Sequence, residues 1–245
     1  MAHPFEVRVE RTVNATPEQV WEAVSTAAGL DAWFMGENDV EPRLGGAVRT
    51  TLHGFTMDST VTTWDPPHRF ANTSPEADDG RLMTFAFEIE GRAGGTTTLR
   101  FVHSGFLPGD DWEQEYDALK IGDPAYVAKL VEYIEYFRGR IAVPVTLWGP
   151  QVSRQRAWAA FTDALGVTRE PVVGQPAHFR AEGLPDLAGE IDYVSPDFIG
   201  LRTADGMYRF IHGMGTAALG HHIFQPVDRE QTEAAWQAWV DRTFA

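Results

Sequence analysis

Apolar and polar residues alternate with period two along Phe5-Glu6-Val7-Arg8-Val9-Glu10-Arg11-Thr12-Val13, the pattern of a half-buried strand. At Thr16 the pattern turns helical. The Thr16 hydroxyl can accept from an unpaired first-turn N–H, and Pro17 stands at the first helical position, where its missing N–H costs nothing. Gly29 is expected to end this helix, and Leu30 to Met35 reads as a second short helix stopped by Gly36. Strands then run to about Phe106, separated by Gly45-Gly46, Asp65-Pro66-Pro67, Asp78-Asp79-Gly80 and Gly94-Gly95. Alternation places Met83, Phe85, Phe87 and Ile89 on one face of a strand, and Leu99, Phe101 and His103 on one face of the next. From Asp123 to Arg138, Tyr126, Val127, Leu130, Val131, Ile134 and Phe137 recur at three and four residues. Lys129, Glu132, Glu135 and Arg138 take the other side, so an amphipathic helix is predicted.

The order of elements then begins again. Val143 to Trp148 is β-prone, and Ser153-Arg154-Gln155-Arg156-Ala157-Trp158-Ala159-Ala160-Phe161-Thr162-Asp163 repeats the earlier capped helix, with Trp158 matching Trp21 and Phe161 matching Val24. Ile191 to Pro196 parallels Val61 to Pro66, Met207–Met214 and Ala218–Gln225 read as strands, and Asp228 to Phe244 closes the chain as a helix. Gly139 and Pro144 mark the boundary, so the expected domains are residues 1–140 and 141–245. The second copy is shorter and lacks a counterpart of Leu30–Met35. Two similar cups, and the space between them, are the expected setting of the function.

Composition narrows the classes. The formal net charge of −15 argues against nucleic acid and anionic membranes as partners. The absence of cysteine removes disulfides, thiolate catalysis and Cys-based metal sites. Fifteen Phe and eight Trp need cores, an interface or a ligand cavity to hold them. The start Met-Ala-His-Pro-Phe-Glu carries no basic, then apolar, leader, and no long apolar run follows, so a cytoplasmic location is expected.

VRVERTVNATPEQVWEAVST, then GLDAWFM, the Gly45-Gly46 turn and VTTWDPPHRF resemble the START-like (Bet v 1-like, SRPBCC) superfamily, and within it the AHSA1-type branch. The resemblance covers residues 5–139 well. Over 143–245 it rests on the internal repeat. It implies an α+β class, with tandem helix-grip domains in which an antiparallel sheet wraps a long C-terminal helix around a cavity for a lipophilic ligand, the second copy shortened. Where the family commonly opens that helix with Gly-Trp, this chain has Gly122-Asp123-Pro124-Ala125-Tyr126. Either Tyr126 takes the Trp position or the cavity mouth differs. An acidic, cysteine-free tandem of this kind is also similar to the START-like proteins of enediyne antibiotic pathways, of the calicheamicin and dynemicin type.

Three functions follow as expectations. The leading one is binding of a large, mostly apolar, polyene- or polyketide-like molecule, as a carrier, sequestering or folding-template protein in natural-product biosynthesis or self-resistance. The second is a polyketide cyclase or aromatase, and the third an interaction module resembling the Hsp90 activator. Expected ligand contacts are Trp33, Phe34, Met57, Phe85, Phe101, His103, Tyr126, Leu130 and Tyr133, with Trp158, Phe210 and Trp236 in the second cup. Trp33 and Phe34 belong to a short helix that commonly forms the cavity lip in this fold. His103, on an apolar face, is the polar residue to watch, and His212 is its expected counterpart; both are catalytic candidates. His221-His222 points to opposite faces of a strand, and no HExxH-like spacing or phosphate loop occurs, so neither metal nor cofactor is expected.

Overall fold

The computed structural model describes residues 2–52, 54–168 and 170–245, which form two compact units dividing between Ile141 and Ala142. In the first unit, β1 (His3–Val13) leads to α1 (Pro17–Ser25) and α2 (Ala27–Asp31). Then come β2 (Glu37–Val40), β3 (Ala47–Leu52), β4 (Phe55–Asp65), β5 (Arg69–Thr73), β6 (Leu82–Gly91) and β7 (Thr97–Leu107). The long helix α3 (Trp112–Glu132) runs on into a π-helical turn, Tyr133–Phe137. All strand pairs are antiparallel in the order β1-β7-β6-β5-β4-β3-β2, and α3 packs on β1 and β7.

The second unit contains β8 (Val143–Gln151), α4 (Arg154–Ala164), β9 (Pro176–Phe179), β10 (Leu187–Ser195), β11 (Phe198–Thr203), β12 (Gly206–Gly213), β13 (Thr216–Ile223) and α5 (Arg229–Phe244). Its order, β8-β13-β12-β11-β10-β9, is that of the first sheet with one edge strand lost. Each unit is thus a helix grip, an antiparallel sheet with a long C-terminal helix, and the chain is a tandem of the two.

Local chemistry explains the repeat. Thr16 and Ser153 both cap their helices through the side-chain oxygen, and Thr16 and Gln19 form a reciprocal capping box. The hairpins share a further device. The β4–β5 register shifts between Val61 and Thr63, and the β10–β11 register shifts between Ile191 and Tyr193, the same place in the repeat. Such a bulge increases local twist, which helps a sheet to curl around a helix.

Three predicted elements are corrected. The second short helix begins at Ala27 rather than Leu30, because the Thr26 hydroxyl accepts from Gly29 N–H and starts a new helix there. Gly29 lies inside that helix, where a Cβ would stand 2.3 Å from the Glu22 carbonyl oxygen; the glycine permits the close approach to α1. The long helix begins at Trp112 rather than Asp123, with Pro124 inside it, so one bond of the helical ladder is missing there. Lys129, assigned to the polar side, is buried, with its ammonium 5.9 Å from the centre of the Tyr126 ring.

Candidate functional site

The inner face of the first sheet changes character along its strands. At one end it is solid: Phe87, Ile89, Leu99 and Phe101 are buried, as are Leu130 and Ile134 on the helical segment. Towards the other end Met83, Phe85, Phe34, Met35 and Tyr126 are only half-buried. The Phe34 ring lies 6.3 Å from Phe85 and 5.6 Å from Tyr126, so it joins β6, α3 and the turn after α2 into one aromatic group.

His103 stands at the boundary between the two ends. Phe85 stacks on it at 4.3 Å, and Phe5 meets it edge-on at 5.1 Å. Its Nδ1 is 3.1 Å from Asp123 Oδ2, and its Nε2 is 3.2 Å from Met83 Sδ. A carboxylate can only accept, so the Asp123 bond places a proton on Nδ1. Both His103 and Asp123 are more than nine-tenths buried. A carboxylate that orients one imidazole nitrogen leaves the other to meet a ligand or move a proton. Here that nitrogen is covered by the half-buried, unbranched Met83, a side chain with freedom to rotate. Gly105, the next inward position on β7, adds no side chain; a Cβ there would lie 1.9 Å from the Leu82 carbonyl oxygen.

Tyr126 is a second polar group at this end. Loss of solvation, and then the negative charge of Asp123, push its phenol up to about 12. It is therefore a neutral hydroxyl near pH 7. Asp123 and Met83 were not among the sequence-predicted site residues. Asp123 had a signal: it is a lone carboxylate three and seven residues before Tyr126 and Leu130, on the apolar stripe of a helix.

Other predicted residues have different settings. Trp33 is buried, and its indole N–H donates to the Ala23 carbonyl at 2.9 Å, which fixes it in the packing rather than at a lip. Leu130 and Tyr133 are buried too, and burial raises the Tyr133 phenol against the opposing effect of a backbone bond from Gly139. Met57 lies on the inward side of β4 but is 40% exposed, near the end of the β3–β4 hairpin.

In the second unit Phe210 and Trp236 belong to a dense core with Phe161, Phe179, Trp239 and Phe244, and Trp158 packs against its edge. His212 Nε2–H donates to the Val152 carbonyl at 3.0 Å, a bond that ties β12 to the start of α4. Strand register gives the counterpart of His103 to a different residue. Starting from the shared bulge, Val61 corresponds to Ile191, and their neighbours Asn72 and Leu201 correspond in turn. Continuing across, Phe85 corresponds to Tyr208 and His103 to His221. The outer strands agree: Val7 pairs with His103 and Val145 with His221. His221 is fully buried, its ring 4.3 Å from Trp236. Among the described residues no three histidines and carboxylates gather as a metal site would require, and no helix is long and apolar enough to cross a membrane.

Residues 14–135 match the family described as Activator of Hsp90 ATPase homolog 1-like protein (AHSA1). The first unit belongs to this family. The AHSA1 match contains His103, Asp123 and the half-buried rings of Phe34, Phe85 and Tyr126, so the open end of the face lies within the family's own segment. No curated protein matches the chain. Among solved structures, a Bacillus halodurans protein is 27% identical over 55% of this chain and 100% of its own (TM-score 0.47). A Mesorhizobium loti protein is 26% identical over 52% and 95% (TM-score 0.46). The di-domain ARO/CYC BexL from the BE-7585A biosynthetic pathway aligns over 96% of this chain and 93% of its own, at 15% identity (TM-score 0.49).

Proposed function

We propose that the AHSA1-type unit binds a mostly apolar, carbonyl-bearing molecule of polyketide type at the open end of its helix grip, as a carrier, sequestering or folding-template protein. The observation that carries this reading is the graded inner face. A solid floor gives way to half-buried Phe34, Phe85 and Tyr126 around the buried His103–Asp123 pair. Large apolar surface left partly open on the concave side of a sheet is the usual form of a small-molecule site, with a few placed polar groups to orient the ligand. Here those groups are the neutral Tyr126 hydroxyl, which can donate to a ligand carbonyl, and His103, whose Nε2 lone pair can accept from a ligand hydroxyl. The test is native mass spectrometry of the protein as purified from its producing cells. A co-purifying apolar compound, released unchanged by organic solvent, supports carriage. Consistently ligand-free protein that also ignores hydroxyanthraquinone and polyene probes removes the proposal.

The His103–Asp123 pair favours a second reading, cyclisation. With Nδ1 held by Asp123, the Nε2 lone pair would take a proton from a carbon between two carbonyls. The carbanion would add to a ketone carbon of the same chain, and the resulting alkoxide would recover the proton from the imidazolium. No redox change or cofactor is required. Conversion of a supplied polyketone to a ring product, lost in His103→Gln while binding persists, would select this reading over simple carriage.

A further inference from the structure

Two lone-pair donors face each other in the first unit with nothing positive between them. His103 Nε2 lies 3.2 Å from Met83 Sδ. The single proton of a neutral imidazole is on Nδ1, where it bonds to Asp123 at 3.1 Å, so Nε2 presents a lone pair. A thioether sulfur has no proton to give either. Strand pairing brings the two together. Met83 stands opposite Gly105, whose missing side chain lets the thioether lean diagonally to His103, two residues along β7. Charge points the same way. Asp123 is 8% exposed, and among the described residues no Lys or Arg pairs with its carboxylate. A carboxylate held out of water is unfavourable without a positive partner. With a neutral imidazole, Met83, His103 and Asp123 together carry one uncompensated negative charge. A single monovalent cation between Nε2 and Sδ removes both defects, because it separates the lone pairs and balances Asp123 through the imidazole.

The donors select the cation. Thioether sulfur is a soft ligand that favours Cu(I), and imidazole suits copper as well. A carboxylate bonded to the far nitrogen is the usual support behind a metal-bound histidine, since it fixes the tautomer and raises the basicity of the ligating nitrogen. Among the described residues no group of three histidines and carboxylates occurs, so ions that need three or four such donors, zinc included, are poorly served. A cuprous ion accepts two opposed soft donors. Metal bonds of about 2.0 Å to imidazole nitrogen and about 2.3 Å to sulfur span at most their sum. The 3.2 Å gap therefore holds an ion at a bent angle, and rotation of the unbranched Met83 opens it towards linear. Phe85 and Phe5 lie against the imidazole and limit the approach of water.

We infer that Met83 Sδ and His103 Nε2, with Asp123 behind the imidazole, form a two-donor site for a soft monovalent metal ion, cuprous copper. The inference goes beyond the small-molecule reading of this face and does not depend on it.

The full chain is titrated without oxygen with tetrakis(acetonitrile)copper(I), and separately with Ag(I) as a second soft probe. Methionine methyl and histidine ring NMR signals are followed. The Met83 methyl and the His103 ring should shift together and saturate at one equivalent, ahead of the exposed Met57 and Met214. Met83→Leu, a swap that nearly conserves volume, and His103→Gln should each abolish this first step. Asp123→Asn keeps an acceptor for Nδ1–H but removes the charge, and should weaken binding about 10-fold or more. Zn(II) should not displace the copper. Equal uptake by Met83→Leu, saturation first at other methionines or histidines, or no shift of either residue would overturn the inference. Metal-free protein with protons on both His103 ring nitrogens, and with no response to Cu(I), would put a proton in the place assigned to the metal and would overturn it too. Capture of an apolar probe is a separate readout, so the failure of one reading leaves the other standing.

Discussion

The two units have the same frame and opposite interiors. Strand order, the capped first helix and the bulge after Val61 or Ile191 recur. In the first unit the face around His103 opens to half-buried rings, with a buried Asp123 beside it. In the second, the corresponding histidine is closed over by Trp236, and the remaining space is a small cleft against Tyr208. A second contrast lies in charge. The second unit buries a two-bond Arg209–Asp192 ion pair, with Nη2 to Oδ2 at 2.6 Å and Nη1 to Oδ1 at 3.1 Å, whereas the first buries a histidine–carboxylate pair. Caps, turns and bulges fix the backbone and survive duplication. Interior side chains are free to diverge provided that volume and polar satisfaction are kept.

Substitutions should break this contrast in a definite order. The largest loss is expected in the second core: Phe210→Ala removes a fully buried ring and should cost about 3–5 kcal/mol in denaturant unfolding of that unit. Asp192→Ala leaves the Arg209 guanidinium buried without its carboxylate and should cost a similar 3–5 kcal/mol or so. Its effect should exceed that of Glu10→Ala, which breaks an exposed pair with Arg100, by several-fold. A loss below about 1 kcal/mol in Asp192→Ala would mean that the pair is not buried in solution.

How far the sequence shows all this depends on the range of the interaction. Helix starts at Thr16, Ser153 and Asp228 are legible because each cap is local chemistry. The strands are legible through alternation. The start of α3 is not, because Pro124 reads as a helix beginning when it stands inside one. Thr26 is a cap overlooked in favour of the glycine that follows it. At the site, Phe85, His103 and Tyr126 come together as their periodicity suggests. Trp33 touches that group only from the buried side, 5.3 Å from the Phe34 ring, because its indole N–H is held by the Ala23 carbonyl, which is a tertiary fact. The exchange of His212 for His221 has the same origin. Both lie on apolar strand faces, and only pairing across four strands decides which matches His103.

A smaller effect concerns alkaline pH. The folded-state phenols of Tyr126 and Tyr208 are both raised to about 12, above the unfolded value near 10. Below pH 10 each is protonated whether folded or not, and their contribution is fully present. As pH rises from about 10 to 12 the unfolded chain releases protons that the folded chain keeps, so stability falls across that window. Phenolate absorbance should therefore show a late-titrating group of tyrosines, with Tyr126→Phe and Tyr208→Phe each removing one member. Titration of both with the exposed tyrosines would show that the two phenols are solvated.

The most direct test of the central contrast is ligand binding set against stability in paired variants of the open face. A hydroxyanthraquinone or polyene probe is titrated into the parent, Phe34→Ala and Phe85→Ala, and each protein's unfolding midpoint is measured. Each truncation should weaken binding by about 1–2 kcal/mol, or roughly 5- to 30-fold, from lost apolar contact, with a midpoint close to the parent's because both rings are already half-buried. If the parent binds no apolar probe, or if both variants are strongly destabilised while the affinity of their folded fraction equals the parent's, the open face is a filled core and the account fails.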